Sequence, residues 1–299
     1  MESTSASTPS PTPPPNFRAG LAVLIGRTNA GKSTLLNALV ERKVSIVSSK
    51  PQTTRHPIHG VLHRPAGQIV FVDTPGFFQT HRSALVEKLH ARTRAALDGI
   101  DVVVHVADPS RPLGAEDEMV LTSLSTVAQP KILCLAKSDL RSRAHLAAWR
   151  EHAAHYAVVL EVSAVSRRHL EDLVTAILNR LPVAPPLYPE SEFTNARREF
   201  QIAEIIREKI YILTGDEVPY RTAVKVDAIE ERPSRAGDDL FEVHAEIQVA
   251  HVRYKSMLIG AKGRMVRNIG ASARKDLETL LGRKVFLKLR VAVDDKLPE

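Results

Sequence analysis

Leu21-Ala-Val-Leu-Ile25 runs directly into Gly26-Arg27-Thr28-Asn29-Ala30-Gly31-Lys32-Ser33-Thr34, and this stretch decides the fold. A short apolar strand enters a glycine-bearing turn, and residues 32–40 continue with helical spacing. The pattern is G-x-x-x-x-G-K-[ST] in the strand–turn–helix setting that gives it meaning. Backbone N–H groups of such a turn point inward and the helix N-terminus adds partial positive charge, so together they cradle a polyphosphate. Lys32 is placed to reach the terminal phosphates, and the Ser33 hydroxyl to ligate Mg²⁺.

Outward from that turn, apolar runs at 21–25, 68–72, 101–107, 131–136 and 157–162 alternate with helical patterns at 32–40, 83–97, 115–127, 143–152 and 168–181. Strands apolar on both sides, alternating with helices, predict an α/β domain: a mostly parallel sheet with helices on both faces. Residues 181–189 hold four prolines in nine positions, which suits neither a helix nor a central strand, and reads as a linker. Beyond it the order becomes helix (195–213), two strands (223–229, 240–250), two helices flanking Gly260 and a strand (285–293). That is a small α+β domain. The first sixteen residues carry five prolines and almost nothing apolar, so a disordered tail is expected there. The expected division is a tail (1–16), a first domain (17–182), a linker (183–194), a second domain (195–293) and a short tail (294–299).

Two further fragments sit at strand ends. Asp73-Thr74-Pro75-Gly76 follows an apolar run, where Asp73 can hold Mg²⁺ through water and the Gly76 amide can sense a γ-phosphate. Ala136-Lys137-Ser138-Asp139 and Ser163-Ala164 end the next two runs. An aspartate there can accept hydrogen bonds from guanine N1–H and its exocyclic amine, which adenine cannot match. In the second domain, Ile259-Gly260-Ala261-Lys262-Gly263-Arg264 forms a Gly-x-x-Gly turn between two short helices. Such a turn lets a sugar-phosphate backbone approach closely. It lies within 251–275, which has seven basic residues (Arg253, Lys255, Lys262, Arg264, Arg267, Arg274, Lys275) and no acidic one. Flanking cations suit phosphate, and an adjoining apolar groove suits unpaired bases.

These motifs resemble the translation-factor-related branch of P-loop GTPases, and within it the Era-like GTPases. The likeness runs from about 17 to 293 and rests on Asn29–Asn37, on Pro51-Gln-Thr-Thr-Arg-His56, on Asp73–Gly76 and on a C-terminal domain with the type-II KH order. It implies a GTP/GDP- and Mg²⁺-dependent GTPase. Gly26–Thr34, Asp73–Phe77, Ala136–Asp139 and Ser163–Ala164 would line the nucleotide, and Ser33, Asp73 and Thr54 would face the metal, with Thr53 as the alternative hydroxyl. Lys32, Thr54, Asn29 and Gly76 are the implied catalytic group. Asn29 resembles the asparagine that helps hold K⁺ in related potassium-activated GTPases, and Phe77 replaces the glutamine that orients water in Ras-like enzymes. The implied partners are the single-stranded 3′ end of 16S rRNA and the 30S subunit. The first sixteen residues have neither the apolar core of a secretory signal nor an Arg-rich presequence pattern, so the cytoplasm is the expected compartment. A monomer is the expected state. The resemblance further implies peripheral association at the inner plasma membrane, although nothing in the sequence independently shows membrane affinity.

One position departs from the family pattern, since Ala136 stands where the guanine motif has asparagine. A neutral hydrogen bond is worth about 0.5–1.5 kcal/mol net, and the retained Asp139 makes stronger charge-assisted bonds, so guanine preference is expected to survive with weaker affinity. The rival readings are an RNA-binding module indifferent to GTP, for which Ala136 speaks, and an ATP-using P-loop enzyme with no RNA cleft.

Composition sets the remaining bounds. At 299 residues the chain has room for two domains. One cysteine excludes a disulfide framework, and no apolar run is long enough to span a bilayer. The net charge of +7 does not point to the RNA site: residues 1–189 carry 21 basic and 15 acidic side chains, residues 190–299 carry 20 and 19. His56, His59 and His63 read as surface histidines, Cys134 as core, Met119, Met257 and Met265 as helix packing, and Glu116–Glu118 as a helix start.

Overall fold

The structure, a computed structural model, describes residues 14–297 apart from 52, 78–88, 90, 94, 216, 234–238 and 296. Most of the expected N-terminal tail and of the helix expected at 83–97 therefore lies outside the described residues, as do Gln52 and Phe78.

The first unit is built from β1 (Arg18–Ile25), α1 (Lys32–Val40), β2 (Ile58–Arg64), β3 (Gly67–Asp73), β4 (Val102–Ala107), α2 (Ala115–Ser125), β5 (Lys131–Leu135), α3 (Leu146–Glu151), β6 (Val158–Glu161) and α4 (Leu170–Leu178). The strands form one sheet in the order β2-β3-β1-β4-β5-β6. β1 pairs in parallel with β3 and β4 at its centre. Its alternation feeds two cores: Ala22 and Leu24 pack with α1 and α4, while Val23 and Ile25 pack with Val72, Phe77, Val120 and Leu124. Burial on both faces is why these strands read as continuous apolar runs.

Sequence reasoning does not find β2, which pairs antiparallel with β3 at the sheet edge. His59, Gly60 and His63 interrupt its apolar pattern, and an edge strand has only one neighbour to demand it. Met257, expected to pack, is exposed instead, because α6 (Val252–Ile259) turns Tyr254 and Leu258 inward. Cys134 is buried and Glu116–Glu118 begin α2, as expected.

The second unit comprises α5 (Arg198–Leu213), β7 (Thr222–Pro233), β8 (Asp239–Val249), α6, α7 (Arg264–Leu281) and β9 (Lys284–Val293). β7 pairs antiparallel and β9 parallel with β8. Ile202, Ile205, Ile206 and Ile210 of α5 meet Ile269, Ala273 and Leu277 of α7 over the sheet in one core.

The proline-rich connection is fastened rather than free. Gly60 bridges Thr194 along β2, and the Val61 N–H donates to the Phe193 carbonyl at 2.9 Å. The fully buried Gln68 amide accepts from the Leu187 and Tyr188 N–H groups and donates to the Tyr188 carbonyl. His59 and His63 join this seam through the Tyr188 hydroxyl and the Glu192 carbonyl.

Candidate functional site

The motifs at 26–34, 73–76, 136–139 and 163–164 lie at strand carboxyl ends, where an open α/β sheet places its ligands, and residues 53–56 reach the same edge by leading into antiparallel β2, whose Ile58 pairs with Asp73. Gly31 takes φ 111° to turn the chain from β1 into α1, a region that L side chains avoid. Lys32 is buried at the centre of the turn, its Nζ donating to the Gly26 and Arg27 carbonyls at 3.0 and 2.9 Å. Burial lowers its pKa to about 8, against the opposing pull of Asp73 and Glu116. A cavity of about 380 Å³ opens here, walled by Thr28, Asn29, Gly31–Thr34, residues 46–50, Thr53, Thr54, Gly76 and Lys137.

Three oxygen donors converge beside it. Ser33 Oγ donates to Asp73 Oδ2 at 2.7 Å and lies 3.1 Å from Thr54 Oγ1, which is itself 3.4 Å from Asp73 Oδ2. Asp73 is fully buried, and its Oδ1 has no hydrogen-bond partner among the described residues. Burial raises its pKa, while the bond from Ser33, the Lys32 charge and the bonds from Ser45 and Thr54 pull it down. A buried carboxylate oxygen in need of a partner, with the hydroxyls of Ser33, Ser45 and Thr54 around the other oxygen, is a donor set that fits a hard divalent cation. The Thr53 hydroxyl points elsewhere, to Ser48 Oγ at 2.7 Å and the Lys50 carbonyl at 2.8 Å.

Residues 43–51 and 53–56 form a strap over this cavity, and the second unit holds its outer side. The buried Arg207 donates to the Thr53 carbonyl at 2.6 Å and pairs with Glu204. Lys43 and Lys209 share the carboxylates of Glu208 and Asp276, and the Val47 N–H donates to Glu208 at 2.9 Å. Arg55 reaches the Pro219 and Thr222 carbonyls. On the inner side, the Asn29 side chain donates to the Ser49 carbonyl at 2.6 Å.

Ser163 Oγ donates to Asp139 Oδ1 at 2.5 Å, bringing together the two fragments expected to read guanine. Other expected contacts fall away from the cavity. Thr74 is buried with its hydroxyl on the Leu24 carbonyl, and the Pro75 carbonyl accepts from Thr93. The Arg27 guanidinium turns from the cavity into a buried pair with Asp117 at 2.8 Å. Phe77 is bridged by backbone to Arg27 and its ring is core. Sequence reasoning gives Asp117 only a helix start; its partner lies 90 positions away and leaves no local signal.

In the second unit, Gly260 (φ 68°), Lys262 (φ 51°) and Gly263 (φ 73°) make the turn between α6 and α7. A side chain on Gly260 would collide with Met265, whereas one on Gly263 would meet open space. Lys262, Arg264 and Arg267 are exposed at the turn, with Ile259 half-buried; Arg253, also exposed, and half-buried Lys255 lie in the first turn of α6, where Arg253 faces Glu217. Next to the turn runs a groove of about 290 Å³ between Val266, Arg267, Gly270, Ala271 and Arg274 of α7 and Phe286, Leu287 and Leu289 of β9. Of these, sequence reasoning names only the arginines.

A family model described as 50S ribosome-binding GTPase matches residues 21–137, and a KH-domain model matches residues 217–296. The GTPase Era of Halothermothrix orenii is 37% identical, covering 93% of this chain and 94% of its own length. That of Mycolicibacterium smegmatis is 38% identical, covering 93% and 94%. The chain belongs to the Era family of GTPases. A crystal structure of Era in complex with MgGDPNP and nucleotides 1506–1542 of 16S ribosomal RNA matches with TM-score 0.86 at 33% identity, covering 94% of this chain and 95% of that one. A crystal structure of a point variant of Aquifex aeolicus Era bound to GDP·AlF4⁻ matches equally well, at 34% identity. The Era fold is thus present over both units, and the groove beside Gly263 belongs to its KH domain.

Proposed function

We propose that this Era-family chain is a GTP-hydrolysing switch that binds the single-stranded 3′ end of 16S rRNA through its KH domain and assists 30S maturation, as a cytoplasmic monomer. The observation that carries this reading is the shared strap. Thr54 faces Ser33 and Asp73, while the adjacent Thr53 carbonyl is bonded to Arg207 of the KH-bearing unit. Whatever orders Thr54 therefore acts on a residue pinned to the RNA-binding unit.

In this reading the domain division is 17–182 and 195–293, joined by the fastened segment 183–194. Gly26–Thr34 wrap the phosphates with their N–H groups and Lys32 faces the terminal ones. Asp73, Ser33 and Thr54 would hold Mg²⁺, which when bound neutralises charge on the phosphates. Lys137, Asp139 and Ser163 orient the base, and the Gly76 N–H faces the γ-phosphate position. The buried Phe77 offers no polar group to orient water, so that share falls to charge neutralisation by Lys32; Asn29 would hold a K⁺, which when bound would add positive charge there, and intrinsic hydrolysis is slow. Arg253, Lys255, Lys262, Arg264 and Arg267 take RNA phosphates around Ile259–Gly263, and the groove beyond takes unpaired bases against Phe286. No helix among the described residues is long and apolar enough to cross a membrane, and the peripheral inner-membrane association is carried by the family resemblance alone.

Crosslinking of an rRNA 3′-end fragment with GTP analogue, with GDP and without nucleotide tests the proposal. Crosslinks on 253–274 that strengthen with the GTP analogue are expected. Identical crosslinking in all three states would leave an RNA-binding module indifferent to nucleotide.

A further inference from the structure

Ala136 raises a physical question: what ties the base-side loop to the phosphate loop when the asparagine amide is missing? Its methyl group only faces the phosphate loop, about where a side chain on Gly31 would begin, 4.0 Å away. Its neighbour makes the connection instead. Lys137, held at φ 58°, extends its Nζ to Asp108 Oδ2 at 2.6 Å and to the Asn29 carbonyl at 3.1 Å. Asp108 follows β4 and its carboxylate is fully buried, with Oδ1 accepting from the Ser110 N–H at 3.0 Å and the Ser110 hydroxyl at 2.5 Å. Its own carbonyl accepts from Arg27 at 3.3 Å. Both carboxylate oxygens are engaged, so the anion has a fixed place and the lysine is drawn to it.

We propose that Asp108 is a positioning residue for the guanine base, holding Lys137 across the phosphate loop in place of the amide that Ala136 lacks. Lys137 lines the nucleotide cavity, and its methylene stem offers an apolar surface to a planar base while the ammonium stays bonded. A charge-assisted bond is about twice as strong as the neutral one it replaces. The buried Asp108 charge is thus employed at the site rather than only in capping the Ser110 turn. This inference rests on the guanine-nucleotide reading above.

The test is a double-mutant cycle. A fluorescent GDP analogue is titrated, in Mg²⁺, against the natural chain, D108N, A136N and the double variant, and thermal unfolding of each nucleotide-free protein is recorded. D108N is expected to weaken binding about tenfold or more, and A136N to shrink that penalty to below about threefold. An equal penalty in both backgrounds overturns the proposal, because a merely structural defect would not be rescued by an amide at position 136. K137M, whose side chain is partly exposed, runs the same cycle from the other end if D108N does not fold. Failure of the natural chain to bind GDP would sink the GTPase reading with it, whereas binding unmoved by D108N sinks only the role of Asp108.

Discussion

Asn29 shows how one side chain serves two loops. Its φ of 60° lies in the left-handed region that asparagine tolerates better than most residues, and its amide crosses to the Ser49 carbonyl of the strap. A cation held there would sit between the phosphate loop and the strap, where transition-state charge develops. Asn29→Ala is therefore expected to lower GTP turnover about tenfold in K⁺ and to abolish the K⁺/Na⁺ rate ratio. Steady-state phosphate release in the two salts measures it, and an unchanged ratio would remove K⁺ from the mechanism. Thr53 and Thr54 make the complementary point. Adjacent in sequence, their hydroxyls take different partners, Thr53 within the strap and Thr54 toward Ser33 and Asp73, a distinction that only the fold draws.

Among the elements, the Gly260–Gly263 turn separates folding from binding. Gly263→Asp projects into open space, so it is expected to cost only the left-handed strain of about 1–2 kcal/mol while placing a carboxylate where the proposed function puts RNA phosphate. Gly260→Asp meets Met265 at 2.8 Å and should fall much further in thermal stability. RNA affinity lost in Gly263→Asp with melting nearly kept is the expected pair of results; unchanged affinity would move the RNA site elsewhere. The elements themselves are largely readable in the sequence, because the strand–turn–helix at Gly26 and the helix–Gly-x-x-Gly–helix order are local patterns. β2 is not, since its two histidines and Gly60 only make sense against the 183–194 segment that covers them. Nor is the groove wall on β9, where successive residues are half-buried on one face and exposed on the other, leaving the bound face undetermined. Arg27 with Asp117 and Lys137 with Asp108 lie 90 and 29 positions apart, and no window of sequence holds both partners.

At the scale of the whole molecule, the two units meet through charge. Burial raises the Asp276 carboxyl pKa, but the bonds from Lys209 and Lys43 outweigh this and leave it below its ordinary 3.8. Burial likewise lowers Lys209, and the bonds from Asp276 and Glu208 leave it above 10.5. The carboxylate's contribution is complete above pH 3.8 and is lost as pH falls through its depressed value; the ammonium's is complete below 10.5 and is lost as pH rises through its elevated one. The junction should hold unchanged from about pH 5 to 9 and loosen in acid. Asp276→Asn is expected to lower stability by about 1–3 kcal/mol at neutral pH and to flatten the acid limb of the unfolding curve. Calorimetry across pH decides this, and an acid limb of unaltered steepness would put the loss elsewhere. The proline-rich segment has a consequence beyond joining the units. β2 is a sheet margin whose outward N–H and C=O groups would template pairing with another chain, and the bridge from Thr194 to Gly60 with the Val61–Phe193 bond covers its middle with a segment that prolines upstream keep from extending into a strand. Loosening that seam, for instance at Gln68, would therefore present itself first as self-association of folded protein rather than as unfolding.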